Sequence, residues 1–213
     1  MLALLTALLL ATPQSDSAQA AAVLDRAAAA HKDVKVLSAD FVQIIVNPMT
    51  GAPDTTRGRL HQLPPNRLGM RFTEPRGDRL VADGRYFWLY TPSTTPGQVI
   101  RTQIPSSGGT GPNLIGQFTD RPHERYRARY ERSETLPSGV VDVVRLVPTE
   151  RDAAFTEATL WVDRNDGLPR RIEFQETSGI KRVVILSQLV LNGDIPWREF
   201  TFAVPAGVQV VRQ

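Results

Sequence analysis

A mainly β, antiparallel architecture, a sandwich or a barrel, is what this sequence predicts, and three observations predict it. Residues 67–73 alternate strictly, Leu68, Met70 and Phe72 against Arg67, Gly69, Arg71 and Thr73. That is the period of a strand with one dry and one wet face. Asp83-Gly84 lies between two apolar runs, a hairpin signal pointing to a type I′ turn. From residue 125 onward strand-like runs recur with turn chemistry in the gaps, at Pro137-Ser138-Gly139, Asn165-Asp166-Gly167 and Ser178-Gly179.

Length and composition fit one such domain. The chain has 213 residues, 41% of them hydrophobic, enough for a real core. No internal repeat or interdomain linker is visible. The net charge is only +3, and the basic residues are nearly all arginines scattered along strands, so nucleic-acid binding has no support. Cysteine is absent, which excludes disulfides, thiolate zinc sites, a cysteine nucleophile and a lipidated N-terminal cysteine.

Taken in order, residues 1–11, MLALLTALLLA, are apolar but too short to span a bilayer. With Ala18-Gln19-Ala20 as an A-x-A-like cleavage site, residues 1–20 read as a secretory signal and 21–213 as one domain. Residues 21–32 are alanine-rich and helical, with Val23, Ala27 and Ala30 on one side. A strand is expected over 37–46 and a loop over 47–56. Then come strands at 58–62, 67–73, 79–82 and 86–90. Pro64-Pro65 stops the first of these, because proline has no N–H to give to a ladder. A strand follows at 98–104, and 105–112, PSSGGTGP, reads as a flexible tether. Residues 113–119 read as a short helix with Leu114, Ile115 and Phe118 on one face, either a mobile lid or a fixed plug. Strands are then expected near 125–134, 140–148, 156–163, 169–175, 181–191 and 199–204.

Little of this points to catalysis. His31, His61 and His123 lack metal-ligand spacing. Asp163, Asp166 and Glu173 could suggest acid–base work, but 163–167 reads as a hairpin loop whose carboxylates bond their own backbone. Ser106-Ser107 lacks the surroundings of a nucleophile elbow, and Gly108-Gly109-Thr110-Gly111 lacks the lysine of a phosphate loop. What remains is the apolar surface. On pattern alone it is equally a cavity or a filled core.

The meander also carries a resemblance. Gly58-Arg59-Leu60, Pro65-Asn66, the alternating run to Glu74-Pro75, Leu80-Val81-Ala82-Asp83-Gly84 and Trp88-x-Tyr90-x-Pro92, in that order, resemble the periplasmic outer-membrane lipoprotein carrier family, LolA. Phe41-Val42-Gln43, Leu160-Trp161-Val162-Asp163 and the ending Phe200-Thr201-Phe202-x-x-Pro205 extend the likeness over about residues 21–211. The resemblance implies an antiparallel sheet curved into an incomplete half-barrel, with the N-terminal helix and a short helical lid over its concave face. It implies an acyl-chain cavity formed by Leu60, Leu68, Met70, Phe72, Trp88, Tyr90, Ile172 and Phe174, under a lid carrying Leu114, Ile115 and Phe118. It implies a periplasmic monomer that performs no chemistry and needs no cofactor. Its cargo would be acylated lipoproteins, its partners an inner-membrane ABC-type releasing complex and an outer-membrane receptor lipoprotein. The alternatives are a carrier of free lipid or glycolipid, or an envelope lipoprotein sensor of the same fold. One departure stands out. The family commonly has an arginine before the Pro-Asn pair, thought to hold the lid, and here that position is Pro64.

Overall fold

The computed structural model describes residues 13–104, 113–151 and 153–213. The apolar stretch 1–11, the tether 105–112 and Ser106-Ser107 therefore lie outside the described residues. The first element is helix α1 (Pro13–Lys32). Its Ala20, Val23, Leu24 and Ala27 are buried. They fall at i, i+3, i+4 and i+7, so this alanine-rich helix has one continuous face to lay on a sheet. The helix begins before residue 21 and runs through Ala18-Gln19-Ala20.

Two meanders follow. The first is β1 (Leu37–Val46), β2 (Pro53–Leu63), β3 (Arg67–Glu74), β4 (Arg79–Asp83), β5 (Tyr86–Tyr90) and β6 (Gln98–Gln103). Two short helices, α2 (Gly116–Thr119) and α3 (Pro122–Arg125), separate it from the second. That consists of β7 (Tyr126–Leu136), β8 (Gly139–Pro148), β9 (Phe155–Asp163), β10 (Pro169–Glu176) and β11 (Lys181–Leu191). A 3-10 turn (Trp197–Phe200) and β12 (Gln209–Arg212) end the chain. The twelve strands of the described residues form one sheet, β12-β6-β5-β4-β3-β2-β1-β11-β10-β9-β8-β7. The meanders join where β1 pairs with β11, and β12 on β6 is the parallel pair. β7 and β12 stand at opposite ends of that order, so the barrel stays open.

Pleat and register give the sheet two distinct faces. Ala39, Leu60, Met70 and Leu80 are successive cross-strand partners, as are Leu37, Gln62, Leu68 and Ala82. These rows belong to the concave side, where Ala39, Leu60, Leu68, Met70 and Ala82 join α1 in the main core. On the second meander Val144, Leu146, Leu160, Val162, Ile172 and Phe174 complete it. A smaller cluster of Val141, Val143 and Trp161 lies on the other face.

Three departures from expectation concern strand bounds and turns. β2 starts at Pro53 within the expected loop, because Thr55 and Thr56 pair with Ile44 and Gln43 of a long β1. Proline is tolerated there as the first residue of a strand. The turn after β4 places only Gly84 at positive φ (98°), whereas type I′ needs both central residues there. Asp83 Oδ1 instead accepts from the N–H groups of Arg85 and Tyr86, both at 2.8 Å. The third departure is 199–204, which forms no strand: the 3-10 turn runs to Phe200 and the chain continues extended.

This C-terminal strap crosses the convex face of β3–β5. It is held by Arg71–Glu199 hydrogen bonds of 3.1 Å, by Arg67 over Trp197 and by Trp88 stacked on Phe202. Gly69 makes this close approach possible, since a Cβ there would stand 2.1 Å from the Glu199 carbonyl oxygen. Gly69→Ala is expected to lift the strap and destabilise the fold by about 2 kcal/mol, a fall in Tm of about 4–8 °C. An unchanged melting curve, with residues 193–208 still protected from protease, would contradict this placement.

Candidate ligand-binding site

The expected site residues divide between two faces. Leu60, Leu68, Met70, Ile172 and Phe174 are buried together on the concave side, with Phe72 half-buried against them. Trp88 and Tyr90 are not part of that group. Phe87, the residue between Tyr86 and Trp88, is the one that turns to the core. Trp88 and Tyr90 point to the convex side and pack on Phe202, with centroids 5.4 and 5.8 Å apart. The aromatic run is apolar on both faces because Phe87 meets the core and Trp88 and Tyr90 meet the strap, while Leu89 stays exposed.

In this state the concave face is filled by the chain's own groups. Ile115 and Phe118 are 1% and 0% exposed, and Leu114 packs half-buried beside them. Phe118 enters an aromatic cluster, 5.8, 5.9 and 5.6 Å from the rings of Tyr126, Phe155 and Phe174. Phe118 lies in α2, a single helical turn, and Ile115 is the residue that caps its start. Past α2, Arg121 takes a left-handed conformation (φ 47°) and turns the chain into α3. A cleft of about 410 Å³ separates α2 from the C-terminal half of α1, lined by Ala28, His31, Asn113, Thr119 and Asp120 among others. Burial pushes the His31 imidazole below its ordinary pKa, against the pull of Asp120, and its Nε2 is buried without a partner.

Polar side chains hold the plug at both ends: the Tyr126 hydroxyl (2.9 Å) and Arg125 (3.2 Å) donate to the Gln117 carbonyl, and Gln62 holds the start of the helical turn. Gln62, 1% exposed, donates from Nε2 to Asn113 Oδ1 and accepts at Oε1 from the Leu114 N–H (3.1 Å). Asn113 Oδ1 also accepts from the Gly116 N–H at 2.7 Å, which starts the helical turn. Pro64 makes no such contact, and Arg67 lies over Trp197 on the convex side. Gln62 thus stands where a lid-holding group is needed.

A second buried polar group fixes α1. Asp142 lies on the concave face at the β8 end and accepts hydrogen bonds from Arg26 (2.7 Å), Arg164 (2.6 and 3.0 Å) and the Tyr130 hydroxyl (3.1 Å). Desolvation pushes its carboxyl up, but these donors outweigh it and hold the pKa below the usual value. A depressed folded pKa adds stability above the unfolded pKa and loses it as the pH falls through the folded one. Asp142→Asn is therefore expected to cost about 2 kcal/mol at neutral pH. The difference from the parent should shrink as the pH falls from the unfolded carboxyl's value, about 4, through the lower folded one. Urea melts across that range check this, and a constant difference would contradict it.

The other candidate groups are structural. Asp163 accepts from the Asn165 N–H (2.8 Å) and Asp166 from the Leu168 N–H (2.9 Å), as a hairpin loop requires. Glu173 pairs with Arg171 and Lys181. His123 meets Asp25 at 2.6 Å, and His61 Nδ1 meets Ser38 Oγ at 2.8 Å. Ser38 is 6% exposed, so that pair offers no accessible nucleophile. Among the described residues no group of three or more His, Cys, Asp or Glu side chains could hold a metal ion. No helix among them is long and apolar enough to cross a membrane.

An open β-shell, apolar inside and covered by a small helical plug, places the chain in the class of open half-barrel folds. The family model described as "Outer membrane lipoprotein carrier protein LolA" matches residues 32–203, and the chain belongs to that family. It is 26% identical over 208 residues to the outer-membrane lipoprotein carrier protein of Chromobacterium violaceum, covering 98% of this chain and 96% of that one. The carrier of Halorhodospira halophila is also 26% identical, over 97% and 92% of the two chains. Among solved structures, an uncharacterized conserved protein from Thermus thermophilus superposes with a TM-score of 0.57 at 16% identity, covering 92% of this chain and 99% of that one. MucB gives 0.55 at 17% identity, over 92% and 66%. These two likenesses are of fold.

Proposed function

We propose that this chain is a periplasmic carrier that takes the acyl chains of lipoproteins against the concave face of its sheet and shuttles them from the inner to the outer membrane. In this reading residues 1–20 are the export signal and 21–213 the single working domain. An inner-membrane ABC-type complex loads it, an outer-membrane receptor lipoprotein unloads it, and it acts as a monomer without catalysing a reaction. Family membership supports the lipoprotein cargo.

The observation that carries the mechanism is the plug. Ile115 and Phe118 fill the site from a single helical turn and its capping residue, tied to the sheet through Gln62. Withdrawing two such side chains forfeits about 3–6 kcal/mol of burial. An acyl chain gains about 0.8 kcal/mol per buried CH₂, so about ten methylenes recover about 8 kcal/mol. The cargo therefore outcompetes the plug by a small margin, which is what a carrier that must also release requires. A second reading keeps the site and changes the cargo to free lipid or glycolipid. It is favoured by Pro64, since closure through a neutral glutamine departs from the family's arginine.

A fluorescent acyl-chain probe tests the site. Saturable binding, with loss of hydrogen-exchange protection at residues 114–119 and competition by an acylated lipoprotein, is expected. Binding that leaves those amides fully protected would contradict it.

A further inference from the structure

The convex face carries an arrangement that neither the core nor the plug explains. Arg59, Arg71 and Arg79 are direct cross-strand partners on β2, β3 and β4. Like charges directly opposite one another on a sheet are destabilising unless anions stand among them. Two carboxylates do so in part: Asp40 holds Arg59 at 2.8 Å, and Glu199 of the strap holds Arg71 at 3.1 Å. Arg79 has no ion pair among the described residues, and its Nε is buried without a partner. Burial and then Arg71 lower its pKa, with Glu199 opposing. The row thus has more positive charge than its own acids answer. Beside it lie the outermost groups of the strap, Trp197, 56% exposed over Arg67, and the Arg198 side chain, 78% exposed with its Nε 3.7 Å from Glu199.

We propose that this convex face, the arginine row with Trp197 and Arg198 beside it, docks on the anionic phospholipid headgroups of a membrane surface. Guanidinium groups pair with phosphates in forked geometry, and an exposed indole settles at headgroup depth. The outward-curving face offers its arginines to a flat, deformable layer more readily than to an extended peptide, which needs a groove. Docking on this side leaves the concave face and its plug free.

Flotation of the purified full chain with vesicles tests the proposal. Binding is expected to vesicles of phosphatidylcholine with about one third phosphatidylglycerol, not to phosphatidylcholine alone, and to weaken with salt. Each basic residue at such a surface is worth about fivefold in partitioning, so Arg71→Gln with Arg198→Gln should lower it about 25-fold. Arg127→Gln with Arg129→Gln, on β7 at the opposite edge, removes the same charge and should leave binding near the parent value. Because Arg71 anchors Glu199 and Trp197 is held over Arg67, Arg198→Gln alone is the second test; it leaves both anchors intact and should lower binding about fivefold. Equal binding to neutral and anionic vesicles, or equal losses in the β7 pair, would overturn the proposal. So would saturable binding to polyglutamate with none to anionic vesicles, which would assign the face to an acidic protein.

Discussion

Leu68→Glu is expected to abolish acyl-chain capture. Leu68 is 6% exposed on the concave face, directly opposite Gln62 on one side and Ala82 on the other. A carboxylate there either stays charged in an apolar site, costing several kcal/mol, or takes up a proton with a raised pKa. Either way its neighbours are the surface an acyl chain would lie on. A loss of about 3 kcal/mol in probe binding, more than a hundredfold in Kd, is the expected result. The same charge strains the closed state, so stability must be read alongside. Leu68→Ala separates the two effects: it destabilises by about 2–4 kcal/mol without introducing charge, and should keep most of the binding. Parent-like capture and transfer by a folded Leu68→Glu protein would place the site elsewhere.

Gln62→Leu is expected to open the plug. It removes the acceptor for the Leu114 N–H and the donor to Asn113, while keeping an apolar side chain of similar size in the core. Closure then leaves a buried N–H unsatisfied, a cost of about 2 kcal/mol, or about thirtyfold in the open-to-closed ratio. Hydrogen exchange at residues 114–119 should accelerate by that factor, and an acyl probe should load faster. Overall stability should change little, because leucine burial offsets the lost hydrogen bonds. If exchange and loading rates match the parent, Phe118 burial and the Tyr126 and Arg125 bonds to the Gln117 carbonyl set the closed state, and Gln62 is a passive core residue.

How far these features are legible in the sequence depends on whether a residue's partner is local. The β3 face is legible because period 2 follows from the pleat, and Leu68, Met70 and Phe72 could point only one way relative to Arg67 and Arg71. The run Tyr86–Tyr90 is not, because it is apolar throughout and alternation cannot choose between a core on one side and a strap on the other. That is why Phe87, and not Trp88 or Tyr90, meets the concave core. Residues 199–204 look like a strand, since Phe200-Thr201-Phe202 alternates. They cross a sheet face instead of joining an edge, and propensity does not encode that long-range choice. The short β12 escapes sequence reading for a related reason: four residues, QVVR, carry too little pattern. Gln62 does leave a signal. It follows Gly58 and Leu60 at period 2, so a polar amide sits at a core-facing position, where it must find a partner. Asp142 leaves the same kind of signal inside VVDVVRL.

The central claim is that the concave face holds the acyl chains of lipoproteins, and native mass spectrometry tests it most directly. The full chain would be purified from its own compartment without detergent and sprayed intact, with the bound fraction identified after dissociation. The account predicts diacylated or triacylated lipoprotein bound one to one, and absent from Leu68→Glu. Free phospholipid or glycolipid as the sole bound species, lost in the same variant, would contradict the lipoprotein reading and assign the site to a free-lipid carrier. Cargo retained by Leu68→Glu would contradict the site itself.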